Sequence, residues 1–311
     1  MDDEVRKGIL REQMKKASHG KKQVVAKYTP KFPSSAEREY IRVANQYMSI
    51  EKQVLMKYVP ELKRIINEGT PDFNSDARNS KKDNQKRRRL ARFEEVDNTI
   101  RRLQLLFESI DKELAAAYGL YGLKRRLERI ANLDTKLSIA EWKKTVQKTF
   151  GINLLNDYYS GDMYKDLIEQ WISANVELIS TIPKDSLGKI KEQVYQNYMA
   201  GKPSTNIVKD LQEQYGIDKR HAKLIARDQT AKLNSEITQH QQKDAGVSRY
   251  KWSTSLDERV RDSHADLEGK IFSWDDPPET DGGRRCNPGE DYQCRCCAIP
   301  VFDIDDLDLP V

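Results

Sequence analysis

The sequence lacks the long apolar runs that would define a membrane protein. No stretch of its 311 residues approaches the roughly 18 uninterrupted apolar residues of a membrane-spanning helix. Its first 20 residues contain no apolar segment followed by a small-residue cleavage site, so no secretory signal is expected. Hydrophobic residues make up 37% of the chain and charged residues 33%. This polar balance predicts a soluble protein that is made in the cytoplasm.

Cysteine is absent from the first 285 residues and then occurs four times within twelve, at Cys286, Cys294, Cys296 and Cys297. A disulfide framework would spread its cysteines over a small secreted domain, whereas a tight cluster in a cytosolic chain favours a metal site. Zinc prefers four tetrahedral thiolate or imidazole ligands, which His264 and three of the cysteines would supply. The alternative is four reduced thiols beside a hydrogen-bonded histidine.

Charge is unevenly distributed along the chain. Residues 1–150 hold 34 Lys and Arg against 21 Asp and Glu, whereas residues 151–311 hold 20 against 28. A basic half of this kind predicts an anionic partner, most commonly nucleic acid. A solvated helix, or docking onto an acidic protein surface, is the open alternative. The candidate phosphate contacts form two clusters: Lys81, Lys82, Lys86, Arg87, Arg88, Arg89 and Arg92, followed by Lys124, Arg125 and Arg126.

Hydrophobic periodicity predicts a mainly α protein, with an elongated helical body followed by a small α+β C-terminal module. Apolar residues recur at helical spacing up to about residue 244, and Pro60 is expected to kink or break the first long helix. Three short strands are expected after Gly246, and Pro300 in the third suggests an edge strand. Because a module of about 60 residues has little core of its own, we expect zinc to close it.

These patterns predict five segments along the chain. We expect the first to be a short helix with an irregular linker, and the last to be a frayed tail, with a docking peptide as the alternative. The segments are a basic N-terminal segment over 1–33, a basic helical region over 34–150, a second helical region over 151–246, a Cys/His module over 247–303 and an acidic tail over 304–311.

Acidic residues crowd around the histidine of the module. Asp257, Glu258, Asp262, His264 and Asp266 are the residue types that a nuclease places around an open, oxygen-rich metal position. The nearby thiols favour a closed structural site instead. The sequence contains no phosphate-binding glycine loop, nucleophile elbow or dinucleotide fingerprint. It therefore predicts that the protein is not an enzyme.

Several recognisable motifs lie in the last part of the chain. Those within the module are a Trp-Ser-Thr strand, Asp-x-Arg-Val-Arg-x-x-His ending at His264, Leu-x-Gly-x-x-Phe ending at Phe272, and Cys294-Arg-Cys296 after a Pro-Gly pair. Together these motifs resemble the phage Mu F-like head morphogenesis proteins, also called minor head proteins. The helix before the module adds Ala226–Thr230, which is similar to the family's Ala-Arg-Thr-Glu-Thr pattern except that Asp228 replaces the threonine and Gln229 the glutamate.

The resemblance implies a component of the virion or procapsid, made in the host cytoplasm, that acts at the portal vertex in head assembly or DNA delivery. Its expected partners are the portal protein, double-stranded DNA, and a major capsid or scaffolding protein, with no membrane involved. The competing hypothesis is a free DNA-binding or toxin-like nuclease protein that carries the same module.

The resemblance also bears on the metal ligands. Some family members carry Cys-x-x-Cys where this chain has Arg and His264, which supports His264 as a zinc ligand beside Cys294 and Cys296. Cys286 is the expected fourth ligand because a loop separates it from the pair, whereas Cys297 is adjacent and sterically awkward. Zinc would then contribute folding energy to the module.

Overall fold

A computed structural model describes residues 3–69, 82–154, 161–200, 202 and 204–309. Its long helices are α1 (Asp3–Ala17), α2 (Ser34–Gly69), α3 (Lys82–Tyr121), α4 (Leu123–Phe150), α5 (Lys165–Met199) and α6 (Ile207–Asp244). Its shorter elements are β1 (Gln23–Val25), β2 (Arg249–Ser253), the single-turn α7 (Asp262–Ala265), β3 (Ile271–Ser273) and β4 (Cys297–Asp303). The prediction of a mainly helical protein with a small C-terminal sheet is confirmed. Within the described ranges, no helix combines the length and apolarity needed to cross a bilayer.

The chain divides into two compact units. Unit 1 falls within Met1–Ile41, Lys124–Asn175 and Leu224–Val311, and it contains the sheet. Unit 2 falls within Arg42–Leu123 and Val176–Lys223, and it is helical.

The core of unit 2 explains why α2 does not break at Pro60. Helix α2 continues through Pro60, which was expected to kink or break the helix. A proline inside a helix costs about 3 kcal/mol. Val59, Leu62 and Ile65 flank it and are all buried in the core of unit 2. Because burying each such side chain contributes roughly 1.5–3 kcal/mol, packing outweighs the proline.

The sheet of unit 1 is antiparallel, with the strand order β1-β4-β2-β3. The prediction that Pro300 marks an edge strand was wrong, because β4 lies between β1 and β2. The carbonyl of Pro300 accepts the backbone N–H of Ala26 at 3.0 Å, just beyond the last β1 pair, Val25 with Val301. In an antiparallel sheet the N–H and C=O of one residue face the same neighbouring strand. The N–H that Pro300 lacks would therefore face β1 at the position where the pairing with β1 ends, so the sheet loses little by its absence.

Both faces of β4 are covered, and the acidic tail packs down as well. Phe302 contacts the aromatic rings of Trp142 and Phe150, with centroid distances of 6.0 and 4.9 Å. The expectation of a frayed tail was wrong, since Leu307 and Leu309 are buried. Their backbone is also held, because the N–H of Asp308 donates to the carbonyl of Ala245 at 3.1 Å.

Candidate metal centre

Three side chains converge beneath the sheet of unit 1. Nδ1 of His264 lies 3.5 Å from Sγ of Cys294 and 3.5 Å from Sγ of Cys296, and all three residues are buried. Zinc bonds of about 2.3 Å to sulfur and 2.05 Å to nitrogen, at a tetrahedral angle, would separate such atoms by roughly 3.5 Å. The three residues therefore form a group that could bind a metal ion.

Hydrogen bonds hold one of the two cysteines in the form that ligates a metal. A hydrogen bond from Cys296 is the largest of the effects that hold the pKa of Cys294 well below its usual range. Sγ of Cys294 further accepts the backbone N–H groups of Gly289 and Cys296, each at 3.4 Å. The pKa of Cys296 is raised, because that thiol donates to the Cys294 thiolate. Thiolate is the form of cysteine that ligates metals.

The indole of Trp252 supports the same assignment. Its Nε1 is buried and makes no hydrogen bond to any part of the chain that the structure describes. The indole N–H faces Cys296 closely enough to favour a thiolate there, and it lowers the pKa of Cys296, although larger effects raise that pKa. A buried N–H without a partner is costly, and a thiolate at Cys296 would offset that cost.

The other ring nitrogen of His264 is held by a buried carboxylate. Nε2 of His264 lies 3.3 Å from Oδ2 of Asp291, and Asp291 is 3% exposed. Burial would raise the pKa of Asp291, but the backbone N–H of Tyr292, together with His264, Arg284 and Arg261, lowers it below its usual range. A carboxylate behind a metal-ligating histidine fixes the ring orientation and the tautomer. The sequence analysis missed Asp291, because no spacing rule connects it to His264.

A second possible metal group, His264 with Asp281 and Asp291, is less suited to an ion. The guanidinium of Arg261 already lies between the two carboxylates. Its Nε is 3.2 Å from Asp281 and its Nη1 is 3.2 Å from Asp291. Arginine stays protonated in proteins, so it supplies the positive charge that these carboxylates need.

Within the described residues, Cys286 and Cys297 lie outside the metal group, so Cys286 as the fourth member of the predicted set of His264, Cys286, Cys294 and Cys296 stays a prediction. A hydrogen bond closes the loop before Cys286, in which the N–H of Cys286 donates to the carbonyl of Pro278 at 3.2 Å. Cys297 begins β4, and burial raises the pKa of its thiol to about 12.

Helix α6 holds the cysteine loop in place. Asp228 accepts the backbone N–H of Gln293 at 2.9 Å and pairs with Lys232 at 2.8 Å. The hydroxyl of Ser235 donates to the carbonyl of Pro288 at 2.7 Å. The role of Asp228 is therefore to position the loop. Gly289 has a φ of +93°, and a Cβ there would lie 3.1 Å from Cβ of Ser235, so this position favours glycine.

The predicted acidic cluster does not assemble around His264. Asp257 pairs with Arg259 and Arg295 instead. Glu258, Asp262 and Asp266 are exposed, and none of these four acids joins a group able to bind a metal within the described ranges.

The predicted phosphate contacts are described only in part. At the start of α4, Lys124 and Arg125 are exposed, whereas Arg126 is partly buried. Lys81 lies outside the described residues. The side chains of the remaining members, although their backbone belongs to α3, also lie outside the described part: Lys82, Lys86, Arg87, Arg88, Arg89 and Arg92.

Comparison with known proteins confirms the resemblance seen in the sequence. Residues 188–299 match the family described as Phage Mu protein F like protein. A protein of Haemophilus influenzae is 34% identical over 165 residues, which are 53% of this chain and 36% of the relative. The minor head protein GP7 of Bacillus phage SPP1 is 25% identical over 248 residues, which are 68% of this chain and 79% of the relative. No solved structure gives a significant match.

A third relative overturns the prediction that the protein is not an enzyme. The NAD(+)–arginine ADP-ribosyltransferase EFV of Enterococcus faecalis is 25% identical over 198 residues, which are 60% of this chain and 37% of the relative. Because a relative carries the name of an enzyme, the exclusion drawn from the sequence was wrong. The chain spans little more than a third of the length of this relative and of the Haemophilus protein.

Proposed function

From the phage Mu F-like family to which residues 188–299 belong, we propose that the protein is a minor head protein of a tailed phage or prophage. The observation that carries this proposal is the family match itself. It spans the region from the second half of α5 to β4 and includes His264, Cys294 and Cys296. The similarity to a minor head protein over 79% of that protein's length supports the same assignment.

The proposal includes a structural zinc ion at the metal group. His264, Cys294 and Cys296 would hold it as three of its four ligands, and when bound it would tie α7 to the loop before β4 and contribute folding energy. Asp291 orients His264 from behind. The backbone N–H groups of Gly289 and Cys296 stabilise the thiolate of Cys294.

The zinc content of the purified full-length protein tests this part. We expect one zinc per chain in the wild type and in Cys297→Ser, and little or none in Cys294→Ser. Cys297 is the matched control because it is a neighbouring thiol outside the metal group. Equal zinc content in the two variants would exclude the assigned ligand set.

The proposal also includes contact with DNA and with the portal vertex. The exposed side chains of Lys124 and Arg125 support it, as does the excess of 34 basic over 21 acidic residues in residues 1–150. Basic side chains that neutralise DNA phosphates bind DNA of any base sequence. The affinity of such binding falls steeply as the salt concentration rises. Acidic surfaces of a portal protein would attract the same side chains.

Head assembly without the protein tests the functional claim. We expect deletion of its gene from the phage to lower the yield of DNA-filled heads, and the wild-type gene to restore that yield. Cys297→Ser should restore it as well, whereas Cys294→Ser should restore it poorly because the module lacks its metal. An unchanged yield of infectious, filled heads after deletion would count against a role in the head.

A further inference from the structure

A cavity of about 280 Å³ adjoins the metal group. His264, Cys294 and Cys296 form part of its wall. We call this space the arginine cavity, because its wall also includes four arginines: Arg227, Arg259, Arg261 and Arg295. Ligand pockets usually measure about 300–1,000 Å³, so this cavity would suit a small ligand.

The four arginines of the wall outnumber the thiolate of Cys294, which also lines the cavity. None of the described residues that line the cavity is acidic. Arg259 and Arg295 both pair with the same oxygen, Oδ2 of Asp257, at 3.0 and 2.8 Å. One carboxylate therefore serves two guanidinium groups, each with five N–H donors, which leaves donors and positive charge to spare.

The other two arginines are held by their own acids. Arg261 pairs with Asp281 and Asp291, and Arg227 lies 3.4 Å from Glu37. These pairs fix the positions of the two side chains in the wall. Arg259 and Arg295 are then the groups best placed to contact a ligand.

We propose that the arginine cavity binds a phosphate group, with Arg259 and Arg295 as its direct contacts. Guanidinium groups match the oxygens of phosphate through paired hydrogen bonds. A phosphate has more charge and more acceptor oxygens than a carboxylate, so it can engage both side chains while Asp257 stays in place. In the zinc-loaded protein the metal offsets the charge of the two thiolates, and in this respect the inference rests on the proposed zinc.

Calorimetric titration of the zinc-loaded full-length protein with pyrophosphate tests the inference. We expect saturable binding that weakens about tenfold in Arg259→Gln, the size expected for one lost charge-assisted hydrogen bond. Arg285→Gln is the matched control, because this arginine belongs to the same module but does not line the cavity. Binding in the control should stay within about twofold of the wild type.

Two outcomes would overturn the proposal. One is no binding of pyrophosphate to the zinc-loaded wild type. The other is an equal loss of pyrophosphate affinity in Arg259→Gln and in the control Arg285→Gln. Absence of zinc from the purified protein would instead count against the proposed metal site, so the two failures are distinguishable. Arg295→Gln, checked for zinc content, provides a second variant that should bind at least tenfold more weakly.

Competition then identifies the source of the phosphate. Displacement of pyrophosphate by a short DNA duplex would assign the cavity to the DNA backbone. Failure of the duplex to compete would assign it to a free phosphorylated molecule. A glutamate-rich peptide that binds more tightly than pyrophosphate would overturn the preference for phosphate.

Discussion

Replacing Glu51 with glutamine is predicted to stabilise unit 2 at neutral and alkaline pH. Glu51 is 4% exposed, and its Oε1 makes no hydrogen bond within the described residues. It lines a small cavity of about 10 Å³ together with Ser186 and Asp218. Burial, followed by the negative charge of Asp218, raises the pKa of Glu51 from 4.5 to about 8.

The direction of the pH dependence follows from whether the folded or the unfolded chain releases the proton of Glu51 first. Below pH 4.5 the carboxyl is neutral in the folded and the unfolded chain, so it adds no pH dependence. Between pH 4.5 and about 8 only the unfolded chain releases the proton, so stability falls by about 1.4 kcal/mol per pH unit. At pH 7 the carboxyl of Glu51 therefore costs about 3 kcal/mol. Glutamine cannot ionise and avoids this cost.

Urea unfolding at several values between pH 5 and pH 8 measures the effect. The gain of Glu51→Gln over the wild type should be below about 1 kcal/mol at pH 5 and about 3 kcal/mol at pH 7. Glu108→Gln removes an exposed carboxylate from the same unit and should follow the wild-type profile. If the wild type and Glu51→Gln gave parallel profiles, the reasoning about the buried carboxyl would be refuted.

Three further predictions concern the fold, the metal and DNA. Gly246→Ala should destabilise unit 1 by roughly 2 kcal/mol or more in thermal unfolding, because φ is +76° and a Cβ would lie 2.2 Å from the carbonyl oxygen of Asp306. Gly8→Ala should not destabilise unit 1, because a Cβ at Gly8 would have no atom within 4 Å. Equal losses of stability in the two variants would disprove the account. A chelator should lower the melting temperature of the wild type but not of Cys294→Ser, and an unmoved wild-type curve would argue against structural zinc. Binding to duplex DNA should weaken at least tenfold between roughly 50 and 200 mM salt, and again when Arg87, Arg88 and Arg89 become alanine; unchanged binding would contradict DNA contact.

Local patterns in the sequence were sufficient to find the strands of the module and three of its metal-group residues. Tyr250 and Trp252 alternate as expected of β2, and the Cys-x-Cys spacing of Cys294 and Cys296 places both thiols beside one histidine. The strands and the cysteine pair depend on residues close together in the chain, where periodicity and spacing are informative, whereas His264 lies 30 residues from Cys294 and was found by its residue type.

Features that depend on distant pairing were not predictable. Strand β1 has three residues, and it exists only because Gln23 pairs with Asp303 at the far end of the chain. Asp291 was missed for the same reason, since 27 residues separate it from His264 and no spacing rule connects the two. Pro60 misled because core packing outweighed its helix-breaking tendency.

Quantitative mass spectrometry of purified phage particles and of DNA-free procapsids tests the central claim most directly. A minor head protein that joins the portal vertex during assembly should be present in both, at a few copies per particle. Its absence from both, while the portal and major capsid proteins are detected, would contradict the assignment and leave the metal group as a feature of a protein that acts outside the head.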